Sequence, residues 1–160
     1  ATDSIYVDIT EVSAGTQVIL SETSTTNVRR AYPITMTESG LIKSVVFYHD
    51  ADTVGGGILV GIYSNSGTAP YNRLAYSDGS AIVTNAQEWQ EIDLIEPVYV
   101  EEGTTIWVAW VIENAVGMYY QAGSTPRAGT SSPYSNGMPD PFGAATFSDY
   151  DYSVYIKYVK

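Results

Sequence analysis

Cysteine is absent, which excludes disulfides, thiolate metal ligands and thiol nucleophiles and leaves the fold to packing and hydrogen bonding. Basic residues are scarce: seven Lys and Arg stand against eighteen Asp and Glu, for a formal charge of -11. That balance repels phosphate backbones and anionic lipid heads, so neither nucleic acid nor a membrane is expected as a partner. It also argues against acidic glycans, whose carboxylates need cations to pair with. The one histidine, His49, stands beside Asp50, and no serine sits in a glycine elbow, so no nucleophile and base can be assembled. His49 reads instead as a surface residue or a hydrogen-bonder to a ligand. No apolar run reaches membrane-spanning length, and no stretch carries the Ala, Leu, Glu and Lys spacing of an amphipathic helix. The opening Ala1-Thr2-Asp3-Ser4 has neither an initiator Met nor a basic-then-apolar leader, which suits a processed export product or a piece of a longer chain.

Strands are what remain. Gly, Ser, Thr, Asn and Tyr are abundant, and short apolar runs alternate with turn signals such as Glu38-Ser39-Gly40, Gly55-Gly56-Gly57, Ser64-Asn65-Ser66-Gly67, Ser77-Asp78-Gly79 and Glu101-Glu102-Gly103. The pattern predicts strands over 5–9, 17–20, 27–36, 41–49, 58–63, 73–76, 81–84, 89–94, 98–100, 104–112, 116–121 and 149–159, with Pro33 marking an edge or a bulge. Turns every eight to twelve residues in a chain of 160 fit one all-β domain over 1–160, a two-sheet antiparallel β-sandwich of jelly-roll type. Residues 122–148, with four prolines and several glycines, read as one long irregular loop. They carry Arg127, Tyr134, Met138, Asp140 and Phe142, too many adhesive side chains for a passive linker.

The run Gly40-Leu41-Ile42-Lys43-Ser44-Val45-Val46-Phe47-Tyr48, then Val60-Gly61-Ile62-Tyr63-Ser64, Trp89, and Gly103-Thr104-Thr105-Ile106-Trp107-Val108-Ala109 resembles a known pattern. It is similar to the jelly-roll accessory modules, carbohydrate-binding modules among them, of bacterial extracellular polysaccharide-degrading enzymes and surface proteins. The resemblance spans about 27–120 and indicates a fold better than a ligand. It departs at Trp110, where such modules more often carry a small aliphatic residue. The resemblance implies an extracellular or cell-surface location and a place beside a catalytic domain in a larger parent chain.

Fourteen Tyr and three Trp against three Phe favour rings that keep a polar edge. A pyranose stacks its C–H face on such a ring while its hydroxyls take hydrogen bonds from Tyr, Asn, Gln, Arg and Asp. The same rings also serve as cross-strand packing pairs. Trp107, Trp110, Tyr119 and Tyr120 crowd one hairpin that leads toward Arg127, Tyr134 and Asp140, and these seven form the first candidate sugar surface. Alternation supplies a second, a row of Tyr48, Tyr63, Trp107 and Tyr155, and places Trp107 and Trp110 on opposite faces of their strand. Carboxylates two apart at Glu91 and Asp93 or Asp149 and Asp151 fit a solvated face better than a hydrolytic pair. No cofactor is expected, although Asp50-Ala51-Asp52 and Asp149-Tyr150-Asp151 offer hard oxygens to a structural calcium. The leading expectation is a non-catalytic module that binds a neutral polysaccharide, and the alternative is a structural or adhesive surface domain with no sugar site.

Overall fold

Eleven strands make up the computed structural model, which describes residues 10–160. They are β1 (Glu11–Gly15), β2 (Glu22–Ser24), β3 (Val28–Thr35), β4 (Gly40–His49), β5 (Ile58–Ser66), β6 (Ala69–Tyr76), β7 (Glu88–Val100), β8 (Thr105–Ile112), β9 (Met118–Pro133), β10 (Thr146–Tyr152) and β11 (Val154–Val159). Neighbours pair in the order β1-β11-β4 with β7 on the far side of β4, and β3-β8-β5-β6, all antiparallel. Eight strands divided this way between two four-stranded layers follow the jelly-roll order. β2, β9 and β10 are additions to it. β9 starts against the end of β4 at the pair His49 and Met118, then runs beside β10 and along the edge of β3.

The core lies between the layers. Ile42, Val45 and Phe47 of β4 and Val154, Ile156 and Tyr158 of β11 meet Ile58, Val60 and Ile62 of β5 and Ile106, Val108, Trp110 and Ile112 of β8. A second, smaller core forms on the outer side of the β3-β8-β5 layer, where Ala31, Tyr63, Trp107, Ala109 and Val111 are covered by Ala128, Met138 and Phe142. β8 is therefore buried on both faces. Its near-unbroken apolar sequence, Ile106 to Ile112, is what such a strand requires.

Turn chemistry closes the hairpins. Gly67 (φ 65°) and Gly103 (φ 82°) take the left-handed conformation that links β5 to β6 and β7 to β8. Gly40 starts β4 for a different reason: a Cβ there would lie 2.7 Å from the Val159 carbonyl oxygen. Pro33 pairs with Trp107 of β8 but lies past the last pair β3 makes with β9, so its missing N–H disrupts no ladder on that side.

Several sequence expectations change. Residues 5–9 lie outside those described. Residues 17–20 form no strand, 81–84 contribute one isolated bridge from Ile82 to Gly57, and 89–100 make a single strand. The expected loop 122–148 is largely a hairpin, β9 with β10, and only 134–145 is irregular, beginning in a 3-10 turn at Tyr134–Asn136. Little apolar alternation marks β9 because backbone pairing holds it. A bulge sets Ala122 opposite Tyr150 and Pro126 opposite Asp149, which takes Gly123, Ser124 and Thr125 out of register.

Burial of both β8 tryptophans sets a stability test. Trp107→Ala and Trp110→Ala should each lower unfolding free energy by about 3–5 kcal/mol in denaturant titrations. A loss under about 1 kcal/mol for either would contradict its placement.

Candidate functional site

β4 presents Val46 and Tyr48 on the outer side of its layer, opposite the inward Val45 and Phe47. The register sets Tyr48 beside Trp89 of β7, and Val46 between Tyr155 of β11 and Glu91 of β7. Tyr119, just inside the start of β9, closes on Tyr48 from the other side. The outcome is a continuous row of rings, Tyr119, Tyr48, Trp89 and Tyr155, with centroids 4.8, 5.3 and 5.3 Å apart. Each ring is tilted 60–80° to the next, so the row offers alternate edges and faces. All four are half-buried, seated on the sheet yet open to solvent.

Hydrogen-bonding groups flank both ends. Tyr119 donates its hydroxyl to Asp50 Oδ1 (2.6 Å) and accepts from Gln87 Nε2 (2.6 Å). At the Trp89–Tyr155 end, Glu91 accepts from Ser44 Oγ (2.7 Å) and Lys157 Nζ (2.8 Å), and Lys157 also reaches Glu11 (3.7 Å), which pairs with Lys43. Burial pushes the Glu91 carboxyl up, but the Lys157 and Ser44 hydrogen bonds outweigh it and leave the group below the usual carboxylate range. The Asp50 hydrogen bond, with burial, raises the Tyr119 phenol to about 12.

The residues singled out from sequence fall in several places. Tyr48 and Tyr119 stand in the row with Tyr155. Trp107, Trp110 and Tyr63 are corrections: they are 2%, 2% and 0% exposed and offer no ring face to a ligand. Trp107 donates its indole N–H to Asn65 (2.9 Å), and Trp110 packs on Phe47 and Tyr152 (5.8 and 5.0 Å). Tyr63 donates its hydroxyl to the Pro139 carbonyl (2.6 Å), and burial lifts its phenol to about 12. The row of Tyr48, Tyr63, Trp107 and Tyr155 therefore splits between two layers, because strands that alternate alike need not share a sheet. Tyr120 stacks on Tyr152 (5.7 Å) and meets Tyr150 edge-on (5.3 Å), with Arg127 over Tyr150 (5.4 Å). Tyr134 packs at the second core, and exposed Asp140 accepts the Arg73 backbone N–H (3.1 Å). Arg127, Tyr134 and Asp140 thus stand apart from the row of rings.

Trp89 entered from the sequence as a strand residue and as part of the family resemblance, not as a binding residue. Its spacing two before Glu91 and four before Asp93, both read as a solvated face, was the signal that its ring is outward. His49 is a correction of the opposite kind: it is buried, with Nδ1 2.6 Å from the Asp50 carbonyl oxygen and Nε2 2.7 Å from Gln90 Oε1. Of the carboxylates offered to calcium, Asp52 accepts N–H groups from Val54, Gly55, Gly56 and Asn114 at 2.9–3.2 Å, a cradle that satisfies an anion and leaves no lone pair aimed at a cation. Burial raises its carboxyl, and those donors more than offset it. No three His, Cys, Asp or Glu residues converge on one point among the described residues. Nor does any described helix have the length and apolarity to cross a membrane.

The raised Tyr119 phenol sets an alkaline test. Its folded value exceeds the unfolded one, so its contribution to stability is complete below 10.0 and is lost as pH rises toward about 12. Ultraviolet titration of tyrosinate should show a phenol near 12 that moves down toward 10.0 in Asp50→Asn. An unchanged titration curve in that variant would contradict the Asp50–Tyr119 bond.

Comparison with known proteins adds a structural likeness. No family model and no curated protein matches the chain. Among solved structures, a ruminal GH26 endo-beta-1,4-mannanase matches with a TM-score of 0.33 and 13% identity, over 82% of this chain and 18% of that one. A likeness that low carries no argument about what this chain does, and the chain spans less than a fifth of the enzyme it matches.

Proposed function

We propose that this protein is a non-catalytic module that binds a neutral polysaccharide on the outer face of the β1-β11-β4-β7 layer. The observation that carries the reading is the row Tyr119, Tyr48, Trp89 and Tyr155, open to solvent and flanked at both ends by hydrogen-bonding groups. Stacking on rings handles the apolar sugar faces, and Asp50, Gln87, Glu91 and Lys157 are placed for hydroxyls at either end. A run of neighbouring rings on one sheet face suits an extended chain. The resemblance of 27–120 to accessory modules of polysaccharide-degrading enzymes agrees, and with it we place the protein outside the cell or on its surface, joined to a catalytic domain.

A structural or adhesive role draws on a different observation. Leu41 and Tyr99, 42% and 59% exposed, line an apolar cleft with Gly40 and Val159 at the opposite end of the same layer. The two readings separate in affinity gels containing glucans, xylans, galactans or mannans. A binding module is retarded by at least one of them, and Trp89→Ala or Tyr48→Ala should weaken retention by about 1–3 kcal/mol, as buried aromatic anchors do at interfaces. Unretarded migration in every gel, or full retention by both variants, would sink the sugar reading.

The proposal assigns no catalysis: Glu91 and Asp93 lie two apart along one strand, as residues of a solvated face do. No reducing ends should be released from any of these polysaccharides. Release that disappears on replacing a single Asp or Glu would show an enzyme instead.

A further inference from the structure

The cations of this chain are unevenly used. Each of the three lysines is paired with a glutamate, whereas none of the four arginines lies within salt-bridge distance of a carboxylate among the described residues. Three of the four lie near Gly129 of β9: Arg30 and Arg127 on one side of the strand, and Arg29, next to Arg30 on β3, on the other. Each has a buried Nε that finds no hydrogen-bond partner among the described residues. Gly129 sits beneath two of them: a Cβ there would lie 2.7 Å from Arg30 Nη1 and 3.2 Å from Arg127 Nη2. Desolvation, and then the nearby Arg127 charge, pull the Arg30 value down against the opposing effect of Tyr152, the direction expected where positive charges are crowded.

Arg29 is the most enclosed of the three, at 4% exposure. Its guanidinium lies over the Phe142 ring (4.6 Å) and donates from Nη2 to the Phe142 carbonyl (2.8 Å). It borders a cleft of about 600 Å³ whose other walls are Gly129–Ser132 of β9 and Gly143–Thr146 before and into β10. The size is that of a small-molecule site, and the walls carry hydroxyls from Thr130, Ser131, Ser132 and Thr146 with no acidic side chain. A buried guanidinium without a counter-charge is costly, and in an acidic protein a carboxylate could readily have been supplied. A ligand oxyanion satisfies it in the same way.

We propose that this cleft is a second binding site, taking the oxyanion of an acidic saccharide with Arg29 as its charged donor. Arg30 and Arg127 set a local positive potential behind it, and the wall hydroxyls meet the sugar. That the oxyanion is carried by a sugar rests on the glycan-binding reading above. The oxyanion itself follows from Arg29 and the cleft alone. The site is on the opposite layer from the row of rings, so the two can be tested apart.

The test is an NMR titration of the whole chain with galacturonate, galactose 6-sulfate, galactose and inorganic sulfate. Amides of 129–132 and 143–146 should shift saturably with galacturonate or galactose 6-sulfate, whichever fits, and much less with galactose. Ser131→Glu, an exposed substitution that adds a negative charge at the rim, should weaken that binding about tenfold with the melting temperature unchanged. Arg29→Lys, which keeps the charge and loses the planar fork, should weaken it too. Trp89→Ala should leave it intact, so failure of the polysaccharide reading would not carry this site down with it. The proposal is overturned if neither acidic sugar shifts these amides, if galactose or inorganic sulfate alone does so equally well, or if Ser131→Glu binds as tightly as the parent.

Discussion

The arrangement depends on one asymmetry between two sheet faces. The outer side of the β3-β8-β5 layer is apolar, with Tyr63, Trp107, Ala109 and Val111 on it, and leaving such a surface in water is unfavourable. The chain returns over it between β9 and β10 and seats Met138 and Phe142 there, with the Tyr63 hydroxyl and Arg29 guanidinium fastening the cover to Pro139 and Phe142 carbonyls. That cover removes two of the large aromatic side chains from any ligand surface. The outer side of the other layer has no such cover among the described residues, and its rings stay half-buried, not sealed. The cleft at Arg29 opens along the margin of the same cover, so both proposed sites follow from where that segment lies.

How far the sequence could be read follows from what each strand buries. β11 alternates a core face with Tyr155 and Lys157, and in β4 Tyr48 opposes Phe47, so the sequence pattern placed Tyr48, Tyr155 and Lys157 outward as they are. β8 is apolar on both faces, which alternation cannot sort into inside and outside. Its unbroken run was the sign that both faces are buried, and the density of rings in it was misleading as a mark of a binding surface. β9 was read only as far as Gln121, because its remainder is held by backbone ladders to β10 and β3, and a sequence of Gly, Ser, Thr and Pro announces a loop. Local spacing can turn Trp89 outward, but setting it opposite Tyr48 needs the pairing of β7 with β4, a long-range register that local patterning does not encode.

A formal charge of -11 speaks for the average surface, and the lysines conform to it by pairing with glutamates. Three of the four arginines depart from it by lying near Gly129, out of reach of those carboxylates, where the potential is set by near neighbours and low dielectric more than by distant charge. The two proposed sites thus differ in the chemistry they favour: rings in line for a neutral chain, and a guanidinium in a cleft for an acidic group.

Burial makes Trp89 the one half-exposed indole of the three, which permits a direct optical test of the central claim. Acrylamide should quench a single accessible tryptophan component, Trp89→Phe should remove that component, and a polysaccharide that retards the protein should shield it. Retardation by a polysaccharide with the Trp89 component still fully quenched would show that the ligand lies elsewhere and would contradict the account.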